Sequence, residues 1–130
     1  MKWKWIIILN LLLWTRLASS QVLSQRFVNA IHQVESSGRY GAIVGDKGEA
    51  LGPFQIHWEY WHDSGVKGSY SQVTNYNYSV AVVTSYLTKF APKAVRNKDY
   101  ETLARVHHGG PIGHKMKSTK KYWTRVKNML

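Results

Sequence analysis

The sequence predicts a small, mainly α-helical domain in which a short glycine-rich turn or β-hairpin interrupts the helices. Two observations support this fold class. Apolar residues recur at spacings of three and four in several separate stretches, which is the period of an amphipathic helix. Between the first two of these stretches, glycines cluster at positions 41, 45, 48 and 52, which is typical of tight turns.

The first helix is predicted over residues 24 to 35. Ser24 stands at the N-cap position, and Gly38 follows as a stop signal. The apolar residues of this stretch fall on one helical face: Phe27, Val28, Ile31 and Val34. This face is expected to pack into the core of the domain.

Three further helices are predicted after the glycine-rich segment. The first covers residues 79–90 and ends before Pro92. The second begins after an N-cap at Asp99 and ends at Gly109. The third begins at Ser118 or Thr119 and runs toward the C-terminus. Residues 58–62 predict a short helical turn, and the polar residues 64–77 predict a surface loop.

The first 20 residues predict a signal peptide. Lys2 and Lys4 precede an apolar run from Trp5 to Trp14, and small residues follow at 18–20. The run is shorter than the ~20 residues that span a bilayer, which argues against an uncleaved anchor. The sequence therefore predicts a secreted, extracellular protein with one catalytic domain over residues 21–130.

Charge and cysteine usage limit the classes of function. The chain has 18 basic and seven acidic residues, and removing the leader leaves a formal charge of +8. This charge predicts an anionic partner, although nucleic acid, a membrane surface and a bacterial envelope all fit it. The chain has no cysteine, which excludes thiol catalysis and cysteine-ligated zinc and leaves stability to the core.

Glu35 is the carboxylate whose position points to chemistry. It follows Ile31 by four residues and Val28 by seven, so it projects from the apolar face of the first helix. Partial desolvation there is expected to raise its pKa, as a general acid requires. From the residues alone, a solvated carboxylate at a helix end remains the alternative.

Several motifs lie in a fixed order along the domain. They are residues 35–39 (ESSGR), 45–48 (GDKG), 50–56 (ALGPFQI), 60–63 (YWHD), 107–113 (HHGGPIG), 118–119 (ST) and 122–125 (YWTR). In order and spacing they resemble the invertebrate-type (destabilase-like) lysozyme family over about residues 24 to 127. The resemblance implies a lysozyme-like α+β fold and hydrolysis of bacterial peptidoglycan without a cofactor.

The resemblance also implies roles for individual residues. Glu35 falls at the family's catalytic acid, and Asp46 falls at its second catalytic carboxylate. Two carboxyl groups in different environments suit glycoside hydrolysis, and glycines 45 and 48 are expected to let backbone amides and water solvate Asp46. Residues at the family's cleft positions are expected to bind or support the sugar: Gln55, Tyr60, Trp61, His108, Gly109 and Gly110.

The chain departs from the family pattern in two ways. The family is normally rich in disulfides, whereas this chain has Ser64 and His114 where cysteines would fall. The segment from the catalytic turn to Gly52 is also slightly shorter than the family's usual pattern.

Other interpretations of the sequence are a lytic transglycosylase and a non-enzymatic cationic protein that binds bacterial envelopes. No specific nucleic acid is expected as a partner, and the domain is expected to be a monomer. The histidines at 107, 108 and 114 match no metal-ligand spacing, so no metal is predicted. His62, Asp63 and Ser64 are consecutive and are not predicted to form a catalytic triad.

Overall fold

The computed structural model describes residues 22–130, and the predicted signal peptide at residues 1–20 lies outside the described residues. The fold is mainly helical with one small antiparallel hairpin, as predicted. The helices are α1 (Gln25–Ser36), α2 (Trp58–Ser64), α3 (Tyr76–Phe90), α4 (Pro92–Asn97), α5 (Tyr100–Gly109) and α6 (Lys120–Met129). The strands are β1 (Val44–Gly45) and β2 (Ala50–Leu51).

Helix α1 confirms the first predicted helix. The Ser24 hydroxyl accepts a hydrogen bond from the backbone N–H of Phe27 at 3.2 Å, which is the expected N-cap. The helix ends at Ser36, and its C-cap residue Ser37 takes a left-handed conformation with φ of 57°. Its apolar face lies in the core, and α1 packs against α6.

The segment between α2 and α3 corrects the predicted surface loop at residues 64–77. Residues Tyr70–Thr74 form a 3₁₀ helix, and the side chain of Val73 in this helix is fully buried. Helix α3 begins at Tyr76 rather than at residue 79, because the Asn75 side chain accepts a hydrogen bond from the Tyr78 N–H at 2.9 Å. Because the segment is mostly polar, its sequence predicted a surface loop and indicated neither the Asn75 cap nor the buried Val73.

Helix α4 was not predicted, since six residues are too few to show a helical period. Pro92 occupies its first turn, where a missing N–H and a fixed φ favour helix initiation. Helices α2, α5 and α6 agree with the prediction to within a few residues. None of the helices within residues 22–130 is long and apolar enough to cross a membrane.

An aromatic cluster joins the helices to the hairpin region in this cysteine-free chain. His32 of α1 lies with its ring centroid 5.0 Å from Tyr40, 5.3 Å from Phe54 and 5.3 Å from Tyr76. Its Nε2 is also 2.7 Å from the Arg39 carbonyl oxygen. The cluster therefore connects α1, the segment leading into β1, the segment after β2 and α3.

The hairpin pairs Val44 with Leu51 and Gly45 with Ala50. Its tip is formed by three successive residues with positive φ: Asp46, Lys47 and Gly48. The Gln55 side chain braces the base of the hairpin by donating to the carbonyl oxygens of Ile43 (3.1 Å) and Gly52 (3.0 Å). A Cβ atom at Gly45 would overlap the Gln55 amide oxygen, so a side chain at this position would displace the Gln55 amide from its hydrogen bonds to Ile43 and Gly52.

Candidate active site

A cleft of about 510 Å³ lies where the helices meet the hairpin. One wall, here called the helical wall, comes from α1, α2, α3, α5 and α6. The other, the hairpin wall, comes from the hairpin tip and the segment leading into α2. The lining residues are Val34, Glu35, Asp46, Gln55, Ile56, His57, Glu59, Tyr60, Asp63, Tyr86, His107, His108, Gly110, Tyr122 and Arg125.

Glu35 lies in the last turn of α1 and faces the cleft from the helical wall. Its side chain is 16% exposed. The Tyr122 hydroxyl donates to Glu35 Oε1 at 2.7 Å, and His107 Nε2 lies 3.5 Å from the same oxygen. These contacts to Oε1 orient the carboxyl group and leave Oε2 as the oxygen that can serve a ligand in the cleft.

A chain of polar contacts connects Glu35 to His107 and Tyr60. The Tyr60 hydroxyl lies 2.8 Å from His107 Nδ1, and the Tyr60 ring stacks on Tyr86 with centroids 3.7 Å apart. Burial raises the pKa of Tyr60 well above 10.0, so the hydroxyl keeps its proton and can donate it to Nδ1. When Nδ1 accepts this hydrogen bond, the ring N–H of His107 lies on Nε2, toward Glu35.

Tyr122 and His108 complete the helical wall. Burial, followed by the charge of Glu35 and the hydrogen bond to it, raises the pKa of Tyr122 well above 10.0. Tyr122 thus remains a hydrogen-bond donor at neutral pH. His108 stacks on the Tyr122 ring with centroids 4.2 Å apart, and burial lowers the pKa of His108 below 6.5 although Glu35 opposes the shift.

Asp46 lies at the hairpin tip, and its side chain is 69% exposed. Its φ of 47° lies in the left-handed region, which aspartate tolerates better than most residues. Its carboxylate Oδ2 lies 2.9 Å from His57 Nε2. Gly45, which was predicted to let backbone amides and water solvate this carboxylate, is extended and lies close to the Gln55 side chain. Its role at Asp46 stays a prediction.

The structure brings most of the predicted site residues to the cleft. Those that line it are Glu35, Asp46, Gln55, Tyr60, His108 and Gly110. Trp61 does not line it; its Nε1 donates to the Tyr78 hydroxyl at 2.9 Å, and its ring packs against the core. Gly109 does not line it either, because its Cα faces Thr119, where a Cβ atom would come within 2.6 Å of Cγ2.

Sequence reasoning missed several cleft residues that contact the two carboxylates. His57 and Asp46 are 11 residues apart, and Tyr122 and Glu35 are 87 apart, so no local pattern connects either pair. From the sequence, Tyr122 was equally consistent with an apolar core position in the last helix and with a position in the site. Its place in the 122–125 motif was the one available signal.

The histidines do not form a metal site in the part of the chain that the structure describes. Residues 22–130 contain no group of three or more His, Cys, Asp or Glu side chains arranged to hold a metal ion. His62 stacks on Trp58 with centroids 4.8 Å apart, whereas the buried Ser64 hydroxyl donates to the Trp61 carbonyl at 2.6 Å. His62 and Ser64 therefore do not converge on one substrate position.

Comparison with known proteins agrees with this architecture. The model of the Destabilase family matches residues 24–129. Lysozyme from Ostrea edulis is 32% identical over 127 residues, covering 95% of this chain and 93% of the relative. Lysozyme from Meretrix lusoria is 34% identical over 111 residues, covering 83% of this chain and 91% of the relative.

Solved structures give the same result. Meretrix lusoria lysozyme in complex with Aeromonas hydrophila PliI has a TM-score of 0.71 at 35% identity, covering 82% of this chain and 89% of that one. Tapes japonica lysozyme has a TM-score of 0.68 at 31% identity, covering 81% and 89%. The fold and the cleft define a lysozyme-type glycoside hydrolase. The chain belongs to the Destabilase family, the invertebrate-type lysozymes that its motifs resemble.

Proposed function

We propose that this protein is a muramidase that hydrolyses the β-1,4 bond between N-acetylmuramic acid and N-acetylglucosamine in bacterial peptidoglycan. The observation that carries the proposal is that two carboxylates in contrasting environments line one cleft. Glu35 is largely buried and oriented by Tyr122, whereas Asp46 is largely exposed and paired with His57. Glycoside hydrolysis uses two carboxyl groups in this way.

In the proposed reaction, the protonated Glu35 gives its proton to the glycosidic oxygen as the bond from that oxygen to C1 breaks. The Asp46 carboxylate stabilises the oxocarbenium-like centre and forms a covalent bond to C1. Glu35, now ionised, takes a proton from the incoming water, whose oxygen attacks C1 and releases Asp46. Two inversions at C1 retain the anomeric configuration.

The remaining cleft residues are proposed to hold the sugar and to position the acid. Tyr60 and His108 present their rings to the C–H surfaces of the sugar. The hydrogen bonds from the Gln55 side chain to the backbone fix the position of the hairpin wall. His107 holds the Glu35 carboxyl through the hydrogen-bonded chain from Tyr60. No cofactor is needed for these steps.

The protein is proposed to be secreted and to act as a monomer at the anionic bacterial envelope. Residues 111–130 hold six basic residues and no acidic one, and all six are exposed: Lys115, Lys117, Lys120, Lys121, Arg125 and Lys127. Salt screens such charges within about 8 Å at physiological ionic strength. Added salt should therefore reduce activity on whole cells more than activity on a short neutral chitooligosaccharide.

The test is digestion of purified Gram-positive cell walls by residues 21–130, in the wild type beside Glu35→Gln. We expect turbidity to clear with the wild type and soluble fragments to carry reducing muramic acid ends. Ends of the 1,6-anhydro type would identify a lytic transglycosylase instead. If Glu35→Gln kills bacteria as well as the wild type without releasing fragments, the protein is a non-enzymatic envelope-binding protein.

A further inference from the structure

A second depression lies beside the cleft, at the base of the hairpin tip. Its volume is about 230 Å³, and its lining residues are Gly48, Glu49, Trp58, Glu59 and Tyr70. Glu59 lines both the depression and the cleft. The two spaces are therefore neighbours, and the loop that carries Asp46 also contributes Gly48 and Glu49 to the second one.

Trp58 is the unusual residue of this depression. It is the first residue of α2 and is 49% exposed, although its neighbour Trp61 packs into the core. The His62 ring stacks on it at an interplanar angle of 12°, which holds the indole in place. An exposed and fixed aromatic ring beside a glycan cleft is suited to stack on a sugar, whose C–H face is apolar.

Tyr70 supplies a second fixed surface. Its hydroxyl donates to the Ile56 carbonyl oxygen at 2.5 Å, and its ring centroid lies 6.1 Å from that of Trp61. The depression is thus bordered by aromatic rings that are already ordered before any ligand arrives. Binding to such a surface costs little side-chain entropy.

We propose that this depression is an additional subsite for one hexosamine ring of the glycan strand, with Trp58 as its stacking surface. The proposal rests on the proposed function and extends it beyond the catalytic cleft. The Glu49 and Glu59 carboxylates accept hydrogen bonds from hydroxyl, amide or ammonium groups and repel a carboxylate. The occupant is therefore N-acetylglucosamine or its free-amine form rather than N-acetylmuramic acid.

The experiment measures binding of chitooligosaccharides from trimer to hexamer by calorimetry, in the Glu35→Gln background so that no substrate is consumed. Trp58→Ala should leave trimer binding within about twofold and weaken hexamer binding by roughly three- to tenfold, the scale of one aromatic contact. Trp58→Phe should recover part of the hexamer affinity. A fully deacetylated series distinguishes the two occupants, because Trp58→Ala reduces its gain in affinity from trimer to hexamer more than that of the acetylated series only if the ammonium form is preferred at this subsite.

Met129→Ala is the matched control, because Met129 is 52% exposed, a fraction similar to that of Trp58, and does not border either space. It should change neither trimer nor hexamer affinity. If the trimer binds and the gain from trimer to hexamer is the same in Trp58→Ala, the subsite is wrong and the cleft assignment stands. If no oligomer binds, both the subsite and the proposed function are wrong.

Discussion

The helical wall and the hairpin wall of the cleft hold their carboxylates in opposite ways. Glu35 is 16% exposed and contacts Tyr122, which comes from the far end of the chain. Asp46 is 69% exposed and contacts His57, which lies only 11 residues away. One carboxylate is fixed by the tertiary core and the other by a local hairpin.

This difference suits the two proposed tasks. A proton donor benefits from restricted hydration and a fixed direction, which a packed helix end provides. A carboxylate that must stay ionised and reach C1 benefits from hydration and a backbone that brings it into the cleft. The comparison predicts large effects from changes on the helical wall and smaller ones from changes to the partners on the hairpin wall.

The largest effect is expected from Glu35→Gln. The amide keeps the size of the side chain but cannot deliver a proton, so hydrolysis should fall by ~10² to 10⁴. Initial rates on a chitooligosaccharide and circular dichroism would be measured together, with Glu101→Gln as a control outside the cleft. A variant with more than about a tenth of the wild-type rate would show that Glu35 is not the acid, since general acid catalysis is worth more than that.

Tyr122→Phe tests the orientation of the acid. It removes the hydroxyl that donates to Glu35 Oε1 and keeps the buried ring. A hydrogen bond to a charged group is worth about 1.5 to 3 kcal/mol, so kcat should fall roughly tenfold or more with little change in KM. Tyr100→Phe is the control, because it removes a tyrosine hydroxyl bonded to Ser24 away from the cleft. Equal kcat values for the two variants would contradict the role given to Tyr122.

The helical wall should also make stability depend on alkaline pH. Burial raises the pKa of Tyr60 and of Tyr122 well above 10.0. Above that pH the unfolded chain loses these protons while the folded chain keeps them, so the free energy of unfolding falls as pH rises. Thermal unfolding between pH 8 and 11 should therefore show a steeper loss in the wild type than in Tyr122→Phe. Identical slopes would mean that Tyr122 ionises normally in the folded protein.

The smallest effect is expected at His57 on the hairpin wall. Its contact with Asp46 is exposed, and even a fully charged exposed pair contributes about 1 kcal/mol or less. His57→Ala should lower kcat about threefold, and His57→Gln should restore most of the loss because it keeps a donor near Asp46. The measurement is kcat of both variants from steady-state kinetics. A failure of glutamine to restore activity would argue against hydrogen bonding as the role of His57.

Local sequence patterns predicted the parts of the fold that depend on local signals. The period of α1 placed Glu35 at the edge of the core, and the glycine cluster predicted a tight turn or hairpin where the structure has the hairpin that carries Asp46. Tyr60 and Trp61 show the limit of that reasoning. They are adjacent on α2, and only packing against α5 and α3 decides that Tyr60 lines the cleft while Trp61 does not.

Contacts between distant segments account for the rest of the site. The chain from Tyr60 through His107 to Glu35 joins three helices, and no single stretch of sequence encodes it. At Gly109 the family motif predicted a sugar contact, and the structure shows that this glycine packs closely against Thr119. Its predicted role in binding the sugar remains a prediction.

The most direct test of the division of labour between the two walls is the anomer that the enzyme first releases. Proton NMR of a chitooligosaccharide digest, recorded before mutarotation, distinguishes the two anomers. If Asp46 forms a covalent bond to C1 while Glu35 acts as acid and then as base, the β-anomer appears first, and Asp46→Asn loses most of this signal. Release of the α-anomer, or near-normal turnover by Asp46→Asn, would contradict the assignment.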